Sequence, residues 1–299
     1  MNNTIGSDCF SKLLLQRQSL IRYGIWNGVD NDNLLSWKKN FKNDEEKIFA
    51  AYVLDLFVYR NQQHMISMLY DVLTRHLNNL MRQDGNPLYS ETNTPLSILR
   101  NKYDNSQIRY IGAIKRGWSQ TKSGFRIIHL LNHHLQICEK WNTTIYDIPK
   151  LYVDGVRTFL IFDDIICTGK QMSEVLDEID FNQFPDARFY ICLCAAHEIG
   201  INELKTLYPW AKVVYAEKIL DGTTIFDSII PETLNLDEDV TIKEWYHNFM
   251  KKVNFRGPNI YGTGDLSMLY AFCESVPNNS LPILYHKTEQ FNPLLKKRQ

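Results

Sequence analysis

Strands alternating with helices through the middle of the chain predict an α/β fold, a mostly parallel sheet with helices on both faces. Two further observations frame it. A block free of glycine and proline, from Asp44 to Gln83, precedes the alternation and reads as helix. An apolar run ends abruptly on two adjacent acids, Asp163 and Asp164, where sheets of this class bind ligands.

The elements follow in order. Lys12 to Tyr23 has helical spacing of apolar residues. Asp44 opens a second run, with acids in its first turn and apolar positions from Ile48 to Val58, continuing through His64 to Met81 with a break near Asn61. Asp84-Gly85-Asn86-Pro87 ends this block. Arg109 to Ile114 reads as a strand, followed by a polar loop and a helix from Phe125 to about Ile137. Thr158 to Phe162, Ala187 to Ala195 and Ala211 to Ala216 are further strands. Helices from Gln171 to Ile179 and from Ile201 to Tyr208 separate them. Lys243 to Val253 is a helix, with turns at Gly257 to Asp265 and Pro277 to Pro282. The expected division is a helical N-terminal region, 1–100, and an α/β domain, 101–299, whose last part covers it.

Bulk properties narrow the classes. The 299 residues suffice for a full core, and a formal net charge of -1 gives no general attraction to nucleic acid, so that partner is not indicated. Cys9, Cys138, Cys167, Cys192, Cys194 and Cys273 form no paired Cys-x-x-Cys pattern, which argues against a zinc site or a disulfide framework. Cys192 and Cys194 should pack on one face of their strand. No targeting signal is visible in Met1 to Phe10, and Phe189 to Ala196, the longest apolar stretch, is too short to span a bilayer. A cytoplasmic protein with no membrane partner is expected.

The central motif is Phe159-Leu-Ile-Phe-Asp-Asp-Ile-Ile-Cys-Thr-Gly-Lys-Gln-Met172. An apolar strand meets Asp163 and Asp164, and a short loop through Thr168-Gly169 opens a helix. Such a helix mouth presents backbone N–H groups to an anion, Gly169 permits close approach, and the Thr168 hydroxyl can donate to phosphate. The carboxylates can accept hydrogen bonds from ribose hydroxyls and hold Mg²⁺, directly or through water. The predicted phosphate loop is Cys167, Thr168, Gly169, Lys170 and Gln171, and the predicted catalytic and metal-binding pair is Asp163 and Asp164. The plainer alternative is an Asp pair that only caps a turn. Walker and dinucleotide fingerprints are absent.

This segment resembles the phosphoribosyl diphosphate (PRPP) loop of type I phosphoribosyltransferases: apolar strand, Asp-Asp, two apolar residues, a small residue, Thr-Gly-x-Thr. The match covers Leu160 to Gly169. Gln171 stands where the family usually has Thr or Ser, and Cys167 is unusual in the loop. The resemblance implies a phosphoribosyltransferase-like sheet and a pyrophosphate-binding loop after an earlier strand. Lys115 to Gly124 holds that place, with Lys115, Arg116, Lys122 and Arg126 as cations, Ser119, Thr121 and Ser123 as donors, and Gly124 permitting close approach. Lys115, Arg116, Ser123 and Gly124 are its lead residues. The alternative is a solvated basic loop with Ser123 as an N-cap.

A narrower resemblance rests on Trp37-Lys-Lys-Asn-Phe41, Ser123-Gly124, Gly264-Asp-Leu-Ser-Met-Leu269, Val276-Pro-Asn-Asn-Ser-Leu-Pro-Ile-Leu284 and Phe291-Asn-Pro-Leu294. In this order they resemble the phosphoribosyltransferase-like effectors of bacterial conflict systems, PRTase-CE, over Trp37 to Arg298, with Phe291 where the family often has Trp. That implies defence against phage or mobile elements and partner proteins such as an ATPase sensor or a reverse transcriptase. Asn278 or Asn279 would bind substrate, or the Pro-Asn-Asn segment is a rigid turn. His197, after the strand ending in Ala196, would contact a ligand or pack structurally, and His133 and His134 read as structural.

The expected function is an effector that binds PRPP or a related nucleotide with Mg²⁺ and acts at the ribose anomeric carbon. Two other classes stay open. One is a catalytically inactive module that senses PRPP or a nucleotide and regulates a partner. The other is an assembly protein that docks through the helices of Asp44 to Met81.

Overall fold

The computed structural model describes residues 3–103, 107–119, 123–229, 231–237 and 239–296, so the predicted site residues Thr121 and Lys122, and Arg298 at the end of the resemblance, lie outside the described residues. The chain forms two compact units, one of Met1–Gln62 with Asp221–Gln299 and the other of Gln63–Leu220. Residues 221–299 thus share a unit with the N-terminal helices, and residues 63–100 share one with the sheet.

The first unit opens on α1 (Asn3–Arg22), α2 (Asn31–Lys38) and α3 (Asp44–Leu56). α3 begins where Asn43 accepts a hydrogen bond from the Glu46 N–H and three acids occupy the first turn, at the positive end of the helix dipole. The helix ends at Phe57, whose ψ of 117° is extended. The next residues form β1 (Val58–Arg60), paired in parallel with Tyr270–Phe272. Sequence periodicity predicts only a break here, because the strand is made by a partner far along the chain.

The second unit begins within α4 (Gln62–Asp71), at Gln63, and that helix runs through a π-helical turn at Val72–His76 into α5 (Leu77–Gln83). The Asp84-Gly85 turn stops it as expected, Gly85 having φ 57°. After α6 (Pro95–Arg100) come β2 (Ile108–Gly112), α7 (Ser123–His133), β3 (Asn142–Thr143), α8 (Ile148–Val153), β4 (Thr158–Ile166), α9 (Lys170–Leu176), β5 (Arg188–His197), α10 (Glu198–Leu207) and β6 (Ala211–Ile219). The five strands β2 to β6 form one sheet, ordered β3-β2-β4-β5-β6 and parallel throughout. This is the predicted α/β sheet. The strands from β4 to β5 are buried almost end to end, as a parallel sheet covered on both faces requires.

Both faces carry helices. Phe189, Ile191 and Leu193 of β5 share a core with Met172 and Val175 of α9 and Ile201 and Leu204 of α10. On the alternate residues Cys194 lies against the Met65 carbonyl of α4, and Asn86 donates to Tyr190. Cys192 and Cys194 therefore do share one face, and all six cysteines are free thiols. The order places β3 on one side of β2 and β4 to β6 on the other. The direction of winding reverses between β2 and β4, which makes a crevice at their carboxyl ends.

The first unit then resumes with α11 (Ile225–Ser228), α12 (Ile242–Lys252) and β7 (Tyr270–Phe272), the partner of β1. α12 starts at a reciprocal cap, Thr241 with Glu244. The core of this unit is aromatic. Trp37, Phe41, Phe249 and Phe291 interlock, with Trp37 and Phe41 centroids 4.6 Å apart and Phe41 and Phe249 stacked at 5.8 Å. Among the described residues no helix is long and apolar enough to cross a membrane.

Candidate functional site

β4 carries Asp163 and Asp164 to the crevice, but the strand runs on to Ile166, past the expected end at Phe162. It does so because its ladder with β5 continues, Ile165 opposite Ala195 and Ile166 opposite Ala196. The acids are strand residues, 2% and 4% exposed. Successive strand residues leave the backbone on opposite sides, yet the first turn of α7 reaches both. Ser123 Oγ donates to Asp163 Oδ1 at 2.5 Å, and Arg126 Nη2 donates to Asp164 Oδ2 at 3.3 Å. The Asp164 N–H also donates to Asp163 Oδ1 (3.0 Å), and the Ile165 N–H to Asp164 Oδ1 (2.8 Å). Gln171 Nε2 donates to Asp163 Oδ2 at 3.4 Å. Each carboxylate oxygen of the pair thus meets a donor of the chain itself.

Burial, and then the Asp164 charge, hold the Asp163 carboxyl well above the usual carboxylate range, with Ser123, the Asp164 N–H and Arg126 opposing. Burial likewise pushes the Cys167 thiol up, so it is no thiolate nucleophile.

The predicted phosphate loop is a tight turn. Gly169 has φ 85°, a conformation that costs an L-residue, and its carbonyl accepts the Ser173 N–H to start α9. The turn leans on α10: a Cβ at Gly200 would lie 2.5 Å from the Cys167 carbonyl oxygen. Thr168 is half-buried and its hydroxyl has no hydrogen bond among the described residues, while Lys170 is exposed. Gln171, the last residue of the predicted loop, turns its amide to Asp163.

The predicted pyrophosphate loop is divided. Ser123 is the first residue of α7 and bonds Asp163. The space at Gly124 is taken by packing on β2's end, where a Cβ would come within 3.0 Å of the Ala113 backbone. Lys115 is paired with Glu178 at 2.9 Å, and Arg116 lies over the Tyr146 ring at 4.5 Å. The link from Ser123 and Arg126 to the two acids escaped sequence reasoning. Its one signal is their three-residue spacing, which puts both on one face of the first helical turn.

His197 is buried and caps α10, its Nδ1 accepting the Ile199 N–H. Asn279 Nδ2 donates to the Thr263 carbonyl at 2.7 Å, and its own carbonyl takes the Met268 N–H. Asn278 O accepts from the Thr263 N–H. The Pro-Asn-Asn segment is therefore built as a rigid turn within the first unit.

Mg²⁺ is tested by the donor set. Two adjacent carboxylates offer hard oxygens, and the Asp164 charge beside Asp163 favours a cation between them, although burial, the larger cause of the raised Asp163 pKa, opposes charge there. Among the described residues no cluster of three or more His, Cys, Asp or Glu could hold a metal. The protein would supply the two acids and the ligand and water the rest, which suits Mg²⁺ more than a caged ion.

Known proteins complete the picture. No curated protein matches the chain. Among solved structures, the AQ2163 protein from Aquifex aeolicus is 10% identical over 59% of this chain and 77% of that one, with a TM-score of 0.31. The Helicobacter pylori xanthine-guanine-hypoxanthine phosphoribosyltransferase is 16% identical over 55% and 85%, with a TM-score of 0.28. The family pattern is far more extensive: it matches residues 34–297, nearly the whole chain, and the chain belongs to the PRTase-CE family.

Proposed function

We propose that the crevice at the ends of β2 and β4 binds PRPP or a related nucleotide with Mg²⁺ and acts at the anomeric carbon of the ribose. Membership of a phosphoribosyltransferase-like family makes a phosphoribosyl-related role the starting point. The observation that carries the finer reading is the convergence of Asp163, Asp164, Ser123 and Arg126 beside the Thr168-Gly169 turn.

The two carboxylates would accept the ribose hydroxyls. Thr168 would donate to the 5-phosphate, and Gly169 would let the backbone close on it. Mg²⁺, when bound, supplies charge to offset a departing diphosphate. Displacement at this carbon passes through a cation-like state, so catalysis would come from positioning and from stabilising the departing diphosphate, not from a protein nucleophile. The anti-phage setting and protein partners such as an ATPase sensor or a reverse transcriptase belong to the same proposal and come from the PRTase-CE resemblance alone, and a cytoplasmic location is proposed beside them.

A second reading, a PRPP or nucleotide sensor without turnover, is favoured by one observation: the oxygens of both acids are already met by donors of the chain. Calorimetric binding of PRPP with Mg²⁺, together with an assay of pyrophosphate release, separates the two. Wild type should bind, and Asp163→Asn with Asp164→Asn should not. Binding without pyrophosphate release, whatever base, nucleotide or nucleic acid acceptor is offered, selects the sensor. Equal binding by the double variant removes both.

A further inference from the structure

We propose that Arg126 is a displaceable counter-ion of the acidic pair, so that a divalent cation and a diphosphate bind this crevice cooperatively. The proposal rests on the reading of the crevice as a cation-and-phosphate site. Three observations carry it. Arg126 stands in the first turn of α7, at the crevice, and its guanidinium contacts Asp164 with both side chains largely buried, 25% and 6% exposed. The contact is 3.3 Å, longer than the 2.7–2.9 Å usual for a charge-assisted bond. Asp163, by contrast, is met by uncharged donors: Ser123, Gln171 and the Asp164 N–H.

Arg126 therefore holds the place of positive charge at Asp164. A divalent cation on the two carboxylates would compete with it there. Once displaced, the guanidinium keeps its charge at any physiological pH and has the planar fork that suits phosphate oxygens. A diphosphate would in turn draw Arg126 from Asp164 and clear that oxygen for the cation. Each ligand then assists the other, and linkage requires the same factor in both directions.

The test is calorimetric titration of the full chain with MgCl₂, with and without saturating inorganic pyrophosphate and corrected for their association in buffer. In wild type, pyrophosphate should tighten Mg²⁺ binding on the order of tenfold, a common size of coupling between sites. Arg126→Gln should bind Mg²⁺ alone more tightly than wild type and lose the coupling. Mg²⁺ binding that is unchanged or weaker in Arg126→Gln, or coupling that survives the substitution, overturns the proposal while leaving the site reading intact. Wild type that binds no Mg²⁺ under either condition, or binding that Asp164→Asn leaves unaltered, overturns the site reading as well. Should Arg126→Gln fail to fold by circular dichroism, Arg126→Lys decides. It keeps the charge but not the fork, so coupling must fall, and undiminished coupling counts against the proposal.

Discussion

At the scale of single residues, Asp163 puts function and stability in opposition. Its carboxyl is 2% exposed beside a second acid, and its pKa in the fold lies above that of an unfolded chain. The folded state therefore binds this proton more tightly than the unfolded state does. Its contribution is fully present below about pH 4, the ordinary Asp value, and is lost as pH rises until the folded carboxyl ionises. Asp163→Asn removes the dependence. The variant should gain stability over unliganded wild type as pH climbs from about 4, reaching on the order of 1–3 kcal/mol near neutrality. Urea unfolding at several pH values measures this, and a gap that is constant or shrinks with pH contradicts it. The two acids were legible in the sequence because an apolar strand running into Asp-Asp and Thr-Gly is a local pattern. The contact of Gln171 with Asp163 was not, because it forms across the turn, beyond what a local motif records.

Secondary-structure elements show the same division between local and distant causes. α3 and α12 could be read from their caps and apolar spacing, and β4 and β5 from their apolar runs. β1 could not, since its three residues become a strand only by pairing with β7, and β3 is just two residues long. The close fit of α10 against the phosphate turn was equally hidden. Gly200 sits at that contact, and a methyl group there would press on the Cys167 carbonyl. Gly200→Ala should force the 167–169 turn to shift, costing about 1–3 kcal/mol as overpacking does. PRPP affinity should fall in the folded variant. Melting temperature and calorimetric affinity together check this; a variant that melts lower yet binds as wild type would separate the turn from the site.

Across the whole molecule, the segments that mark the family and the residues proposed for chemistry lie mostly in different units. Trp37, fully buried, donates its indole N–H to the Ile283 carbonyl at 2.9 Å. Asn40 and Asn292 exchange hydrogen bonds at 2.8 and 2.9 Å, and Phe291 packs on Phe41 and Phe249. The Trp37–Phe41, Val276–Leu284 and Phe291–Leu294 motifs thus meet in one core of the first unit, while Asp163, Asp164, Ser123 and Arg126 belong to the sheet unit. A motif's specificity to a family therefore says nothing about whether it touches a ligand, and here the packing explains it. Trp37→Ala or Phe291→Ala should cost about 3–5 kcal/mol, the usual range for removing a buried aromatic ring. The affinity of the remaining folded protein for PRPP should stay within about twofold, since a change of that size is well under the 1.4 kcal/mol that makes a factor of ten. Asp163→Asn with Asp164→Asn should show the reverse pattern, with binding lost and the fold retained. Denaturant unfolding and calorimetry on the same three variants test the separation, and a loss of PRPP affinity in folded Trp37→Ala or Phe291→Ala would show that the first unit takes part in binding.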